Sequence, residues 1–486
     1  MRSDLGDFQT PIGLVREVLD RLDALGVGRE RVFEPTCGVG RFLSGLLERP
    51  GSTREFRGVE IQPEHLEKAR CVASEPIEAR FEAGDIFDRD LSIPLDWSGS
   101  GALLIVGNPP WVTSASLGRL GSTNRPPPAR IEGLVGLDAR TGGANFDLAE
   151  ALWIKVLREL SEPEATIALL CKASTARSVF RWAARARRPI ASASLYRIDA
   201  RRWFDAAVDA CLFVVGLRPG GGCGRIDVFD GLEAERPSST IAVVDGQLVS
   251  DPEALGSAIA SGIYGRGSRP WRQGVKHDAA DVMELRRDGD GDWRNGCGEV
   301  VDVEAEHVFP LLKGSDLGAS RRSPPRRGVI VTQTRLGESP DRLRSSAPKL
   351  WAYLGVHADV LDGRRSKVYS GRPRFAMFGV GSYTFAPHKV AVSGFAKATR
   401  FVVVGSVEGR PTLLDDTCYF LPFESAEGAT LAAEALDGPA VRGLIRSLTF
   451  PDAKRPITKA ILQRIDLDRL LETSPRGMLA GPLGVE

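Results

Sequence analysis

Four consecutive residues, Asn108-Pro109-Pro110-Trp111, follow the apolar run Leu103-Leu-Ile-Val106 and a glycine. An asparagine amide delivered by a strand offers a carbonyl acceptor. Pro109 has no N–H of its own and leaves its backbone carbonyl to accept. Trp111 adds a flat face for stacking. Such a set suits a planar ring that carries an amine, gripped by acceptors at its edge and by an aromatic on its face. Taken alone it would be an Asn-Pro turn beside a buried tryptophan. Its meaning depends on what lies upstream.

Upstream, Phe33-Glu34-Pro35-Thr36-Cys37-Gly38-Val39-Gly40 joins a short strand to a helix. Glycines there let the backbone turn tightly and approach a ligand at a helix N-terminus. Glu34 beside the turn suits a ligand ammonium and disfavours a pyrophosphate. Glu60 closes the next strand, where an acidic side chain accepts from ribose hydroxyls. Asp85 follows a third strand, placed to accept from an adenine exocyclic amine. Three acidic residues at three successive strand ends outline sites for an amine, a ribose and an adenine. That combination points to S-adenosylmethionine, with Thr36, Gly38, Gly40, Ile61, Ile86 and Asn108 completing the candidate cofactor set.

These residues need a scaffold. Residues 12–25 carry apolar positions at helical spacing and end at Gly26, while residues 31–34, 56–61, 79–83 and 102–106 read as strands. Helices are expected over 41–47, 63–74 and 147–160, and further strands over 166–171 and 209–217, flanking an Arg-rich helix. This alternation predicts an α/β fold with a doubly wound, mainly parallel, Rossmann-like sheet. Its ligands are expected at the carboxyl edge of the strands. Residues 113–145, rich in Gly, Pro and Ser, form a long insertion after the Asn-Pro-Pro-Trp segment.

The two motifs together resemble those of the adenine-N6 DNA methyltransferases. Phe8-Gln-Thr10-Pro11 is similar to that family's N-terminal motif, which covers the methionine end of the cofactor. The order, cofactor motif, then catalytic motif, then a long C-terminal region, matches the gamma arrangement. The short interval from Glu34 to Asn108 leaves no room for a recognition domain between them. The likeness is nearest to the TaqI type: Trp203-Phe204-Asp205 resembles the segment whose aromatic meets the target base. Leu311–Leu317, Asp415–Pro422 and Lys454–Thr458 resemble C-terminal landmarks of that type. Trp111, where Tyr or Phe is commoner, is a departure that still supplies stacking. The resemblance implies methyl transfer from S-adenosylmethionine to N6 of an adenine flipped out of duplex DNA. Asn108, Pro109, Pro110, Trp111 and Phe204 would be the catalytic residues, and the enzyme would modify DNA beside a cognate restriction endonuclease.

The chain has 486 residues with 64 Lys+Arg against 63 Asp+Glu, a balance of +1 that announces no polyanion. Local charge differs. Ser320–Phe375 holds 13 basic and 4 acidic residues, and Arg177–Arg202 holds eight Arg against Asp199 alone. Such patches suit phosphate contacts, and Arg321, Arg322, Arg326, Arg327, Arg335, Lys367 and Arg372 are the candidates. The seven cysteines form no Cys-x-x-Cys and the five histidines show no ligand spacing, so no metal and no disulfide framework are expected. No apolar run approaches the roughly 20 residues of a membrane span, and a reduced, cytoplasmic compartment is the expectation. The glycine run Gly220–Gly224 predicts a catalytic domain over 1–235 and an α+β target-recognition domain over 236–486. Two rival activities share the Asn-Pro-Pro-aromatic motif or the target atom: methylation of a glutamine amide in protein, and of adenine N6 in RNA. The first is disfavoured by the short stretch ahead of Glu34 and the long region after the catalytic segment.

Overall fold

A computed structural model describes residues 9–49, 51–93, 95–111, 147–318, 326–450, 453 and 455–472. Phe8, the whole 113–145 insertion, Arg321, Arg322 and Lys454 lie outside the described residues. The chain divides into two compact units, Met1–Pro252 and Glu253–Glu486.

The first unit is built on one sheet. Its strands are β1 (Arg31–Glu34), β2 (Glu55–Glu60), β3 (Glu78–Ala83), β4 (Leu103–Gly107), β5 (Ala165–Lys172), β6 (Ile190–Ile198), β7 (Ala210–Leu217), β8 (Arg225–Phe229), β9 (Ser239–Val244) and β10 (Gln247–Val249). They run in the order β10-β9-β8-β6-β7-β5-β4-β1-β2-β3. The block β3-β2-β1-β4-β5 is parallel throughout. β7 is inserted antiparallel between β5 and β6. The sheet is therefore the Rossmann-like one expected from the alternation. The break between units falls after Pro252, beyond the expected 235, because β9 and β10 also extend this sheet.

The central strands β4 and β5 read as apolar runs because both faces are covered. All five residues of β4 are buried. Helix α1 (Ile12–Ala24) buries Leu14, Val15, Val18, Leu19 and Leu22, one stripe at helical spacing, and ends at Gly26 with φ 66°. α2 (Arg41–Leu47) buries Phe42, Leu43 and Leu46. Both helices join one core with Val32, Leu104, Leu170, Tyr196 and Leu212. α3 (Pro63–Val72), α4 (Leu148–Glu159), α5 (Ala173–Arg185) and the short α6 (Ala200–Phe204) complete the helices that frame the site.

The second unit is α+β. One sheet joins Arg272–Gln273, Cys418–Phe423, His388–Ser393 and Val402–Val404, and a second is assembled around Val308–Leu312 and Arg327–Ile330. Val275, Leu285, Leu311, Ile330, Leu350 and Met377 form its principal core. Among the described residues no helix is long and apolar enough to cross a membrane, and no group of His, Cys, Asp and Glu is placed to hold a metal.

Candidate active site

Parallel strands bring their carboxyl ends to one edge, and the motif residues occupy that edge in turn: Glu34 on β1, Glu60 on β2, Asp85 after β3 and Asn108 after β4, with Lys172 at the end of β5. After β1 the chain reverses through Gly38 (φ 52°) and Gly40 (φ 78°), conformations that suit glycine. At Gly40 a β-carbon would also lie 3.2 Å from the Ala69 backbone of α3. The turn is therefore fixed by close approach as well as by backbone angle.

Glu34 is 3% exposed, and its Oε2 has no partner among the described residues; the hydroxyl of Thr36 is likewise buried and unpartnered. Buried polar groups in proteins are nearly always satisfied. Two orphaned acceptors two residues apart in the turn therefore fit a cationic, hydrogen-bonding ligand such as an α-ammonium group. Burial first, and Glu60 second, push the Glu34 carboxyl well above the usual carboxylate range. A ligand cation would reverse that. The Cys37 thiol beside it is also pushed well up, by burial first and then by Glu34 and Glu60.

Glu60 does more than its place at a strand end implied. Its Oε2 accepts from Gly38 N–H at 2.9 Å and its Oε1 from Gln62 N–H at 2.8 Å. The carboxylate thus ties the glycine turn to the start of α3 while lone pairs remain for a ligand. Replacing Glu60 with glutamine leaves one of these N–H groups facing an amide N–H. We expect a loss of about 1–3 kcal/mol in stability and weaker cofactor binding, read by calorimetry. Wild-type values for both would remove this role. Asp85 accepts from Phe87 N–H at 2.9 Å, which orders its loop; Ile86 is buried and Ile61 exposed.

Sequence reasoning missed Gln9 as an individual contact. Its Oε1 lies where a β-carbon on Gly38 would collide, and it accepts from Val39 N–H at 3.3 Å. Next to it Thr10 is buried, and Pro11 starts α1.

At the β4 edge Asn108 and Pro110 are half-buried and Pro109 is buried. The Trp111 indole donates from Nε1 to the Leu170 carbonyl on β5 at 3.2 Å. Phe204, at the end of α6, meets the Trp111 ring edge-on, with centroids 5.1 Å apart and planes at 68°. α6 is begun by Asp199, whose carboxylate accepts from the Arg201 and Arg202 N–H groups, and it ends at Asp205 in the left-handed region, φ 52°. This cap and terminator set where Phe204 projects. Two aromatics distant in sequence therefore share the edge that carries Asn108.

A search of curated proteins finds a relative of matching length. The type II methyltransferase M.NspV of Nostoc is 36% identical over 474 residues, spanning 96% of this chain and 97% of that protein. The chain belongs to the type II methyltransferase family. A second type II methyltransferase, M.TthHB8I of Thermus thermophilus, is 36% identical over 110 residues, 22% of this chain and 21% of that protein. Among solved structures, the DNA complex of the type IIL restriction-modification enzyme MmeI shares the fold with a TM-score of 0.57 at 13% identity, over 95% of this chain and 68% of that one. No protein-family model matches.

The basic candidates of this methyltransferase's second unit divide. Arg326, Arg335, Lys367 and Arg372 are exposed. Arg327 is half-buried and donates to Asp316 at 2.7 Å, so its charge is already used inside the unit.

Proposed function

We propose that this methyltransferase is a gamma-class, TaqI-type enzyme that methylates N6 of an adenine flipped out of duplex DNA. The observation that carries the reading is the pairing of Trp111 with Phe204 at the strand edge that bears Asn108, beside the three strand-end carboxylates. Glu34 and Thr36 would hold the amine of S-adenosylmethionine, Glu60 its ribose and Asp85 its adenine, with Ile61 and Ile86 against the ring and Gln9 and Thr10 over the methionine end. Bound there, the cofactor supplies a methyl group already activated on a sulfonium.

The chain's own residues do the rest. An adenine amine is a poor nucleophile because its lone pair is delocalised into the ring. As that nitrogen turns pyramidal its N–H groups become better donors. Acceptors fixed in advance for that geometry stabilise the transition state more than the ground state. The Asn108 side-chain carbonyl and the Pro109 backbone carbonyl are those acceptors, and the two prolines hold them in place. No strong general base is needed. The base must leave the stack to be reached, and Trp111 takes up its face while Phe204 lines its edge. M.NspV is by name a type II methyltransferase, and the MmeI structure contains DNA; both support a DNA substrate and a role beside a restriction endonuclease. The second unit is then the target-recognition domain, with Arg326, Arg335, Lys367 and Arg372 as phosphate contacts.

Transfer of a labelled methyl group to duplex DNA, followed by digestion to nucleosides, tests the reading. The label should appear as N6-methyldeoxyadenosine. Trp111→Ala should lower the rate about tenfold or more, since a base–aromatic contact is worth roughly 1–3 kcal/mol. Label in protein glutamine or in RNA instead of DNA would overturn the assignment.

A further inference from the structure

Lys172 is the last residue of β5, the strand next to β4 in the sheet. Regular pairing between the two strands ends at Gly107 with Leu169. Past that point the chain is held by other means. The Trp111 indole donates to Leu170 O, and the Lys172 ammonium donates to Trp111 O at 2.9 Å. The same ammonium donates to Asp147 Oδ2 at 2.7 Å, while Asp147 Oδ1 accepts from Ala149 N–H at 3.0 Å and starts α4. Asp147 is buried, so Lys172 is aimed by a group that cannot readily turn away.

A cation donating to a backbone carbonyl makes a stronger hydrogen bond than a neutral donor. Pro109 and Pro110 each fix φ, so the turn from Asn108 to Trp111 has few ways to flex. Fixing it at Trp111 fixes it along its length. We propose that Lys172, oriented by Asp147, is a positioning residue that holds the Trp111 indole and the Asn108-Pro-Pro turn in register for the target base. Trp111 takes part through an N–H that a phenylalanine would lack. The proposal rests on the adenine reading above.

The test uses the full-length chain labelled with 5-fluorotryptophan, the Trp111 fluorine signal being assigned by its loss in Trp111→Phe. Lys172→Met keeps the side-chain length without the donor. Asp147→Asn keeps an acceptor for the Ala149 N–H and removes the charge. In both variants the Trp111 signal should shift and broaden, and kcat on duplex DNA should fall about tenfold or more, as for loss of a hydrogen bond to a charged group. KM for S-adenosylmethionine should stay within about twofold, because the loss falls on the bound complex. Lys172→Arg, which still donates, should recover most of kcat. An unmoved Trp111 signal in either folded variant overturns the proposal, as does a moved signal with wild-type kcat. Failure of both variants to fold overturns it too, by making the contact one of stability. If wild-type protein methylates no adenine in DNA, the functional reading fails separately, and the fluorine signal still decides whether Lys172 holds Trp111.

Discussion

Replacing Asn108 with alanine is expected to slow methyl transfer severely while leaving cofactor and duplex binding far less affected. Asn108 closes β4, an entirely buried strand in the parallel block of the sheet, so its position is set by the core and not by the ligand. The amide's contact with the reacting nitrogen strengthens only as that nitrogen becomes pyramidal. Its loss should therefore fall on kcat and not on binding, with a drop of roughly 10²–10³ as for removal of one preorganised polar group. Asn108→Asp keeps an acceptor and should retain part of the activity. Rates measured with labelled cofactor, beside cofactor affinity from calorimetry, separate the two effects. A wild-type rate in Asn108→Ala would refute the mechanism.

Glu34→Gln should give the second large effect, on cofactor affinity and on its dependence on pH. Burial, and then Glu60, hold the Glu34 carboxyl well above its ordinary value of 4.5. Binding an ammonium requires the ionised form, so wild-type affinity should rise with pH until the raised pKa is passed. In Glu34→Gln it should be weaker by about tenfold or more, as for a lost charge-assisted contact, and the part of the pH dependence due to Glu34 should vanish. Stability runs the other way. Between 4.5 and the raised value the folded, cofactor-free protein keeps a proton that the unfolded chain has released. Folded protein then binds more protons than unfolded, so stability falls as pH rises through that window. Glu34→Gln lacks this loss and should be the more stable free protein at neutral pH, with the difference shrinking at pH below 4.5. Calorimetric melting across pH, with and without cofactor, checks both signs. A Glu34→Gln protein with wild-type affinity would remove the ammonium site.

Much of the sheet was legible because its central strands β4 and β5 are short apolar runs covered on both faces, and because α1 shows its stripe plainly. β1 and α2 fall where the pattern puts them. β6 did not stand out: Ile190-Ala-Ser-Ala-Ser-Leu is poor in branched and aromatic residues, and the strand forms because β7 and β8 flank it. β9 and β10 were assigned to the second domain because the glycine run at 220–224 looks like the start of a linker, whereas it turns the chain back onto the sheet. The strand-end acids could be read as a set, since one edge of a parallel sheet collects them. Their partners could not. That Glu60 holds Gly38 and Gln62, that Gln9 covers the turn and that Lys172 reaches Trp111 are contacts between distant residues, each typed like an ordinary surface polar residue. Asp147 gave one local sign, a capping residue ahead of an apolar helix.

The proposed function is modification of adenine in DNA at a chosen sequence. Expression of the full-length protein in a bacterial host without methylation of its own, followed by single-molecule sequencing of the host genome, tests it most directly. Modified adenine is expected at one position of one recurring sequence, and far less of it in cells carrying Asn108→Ala. A genome with no modified adenine, from cells that contain folded protein, would contradict it.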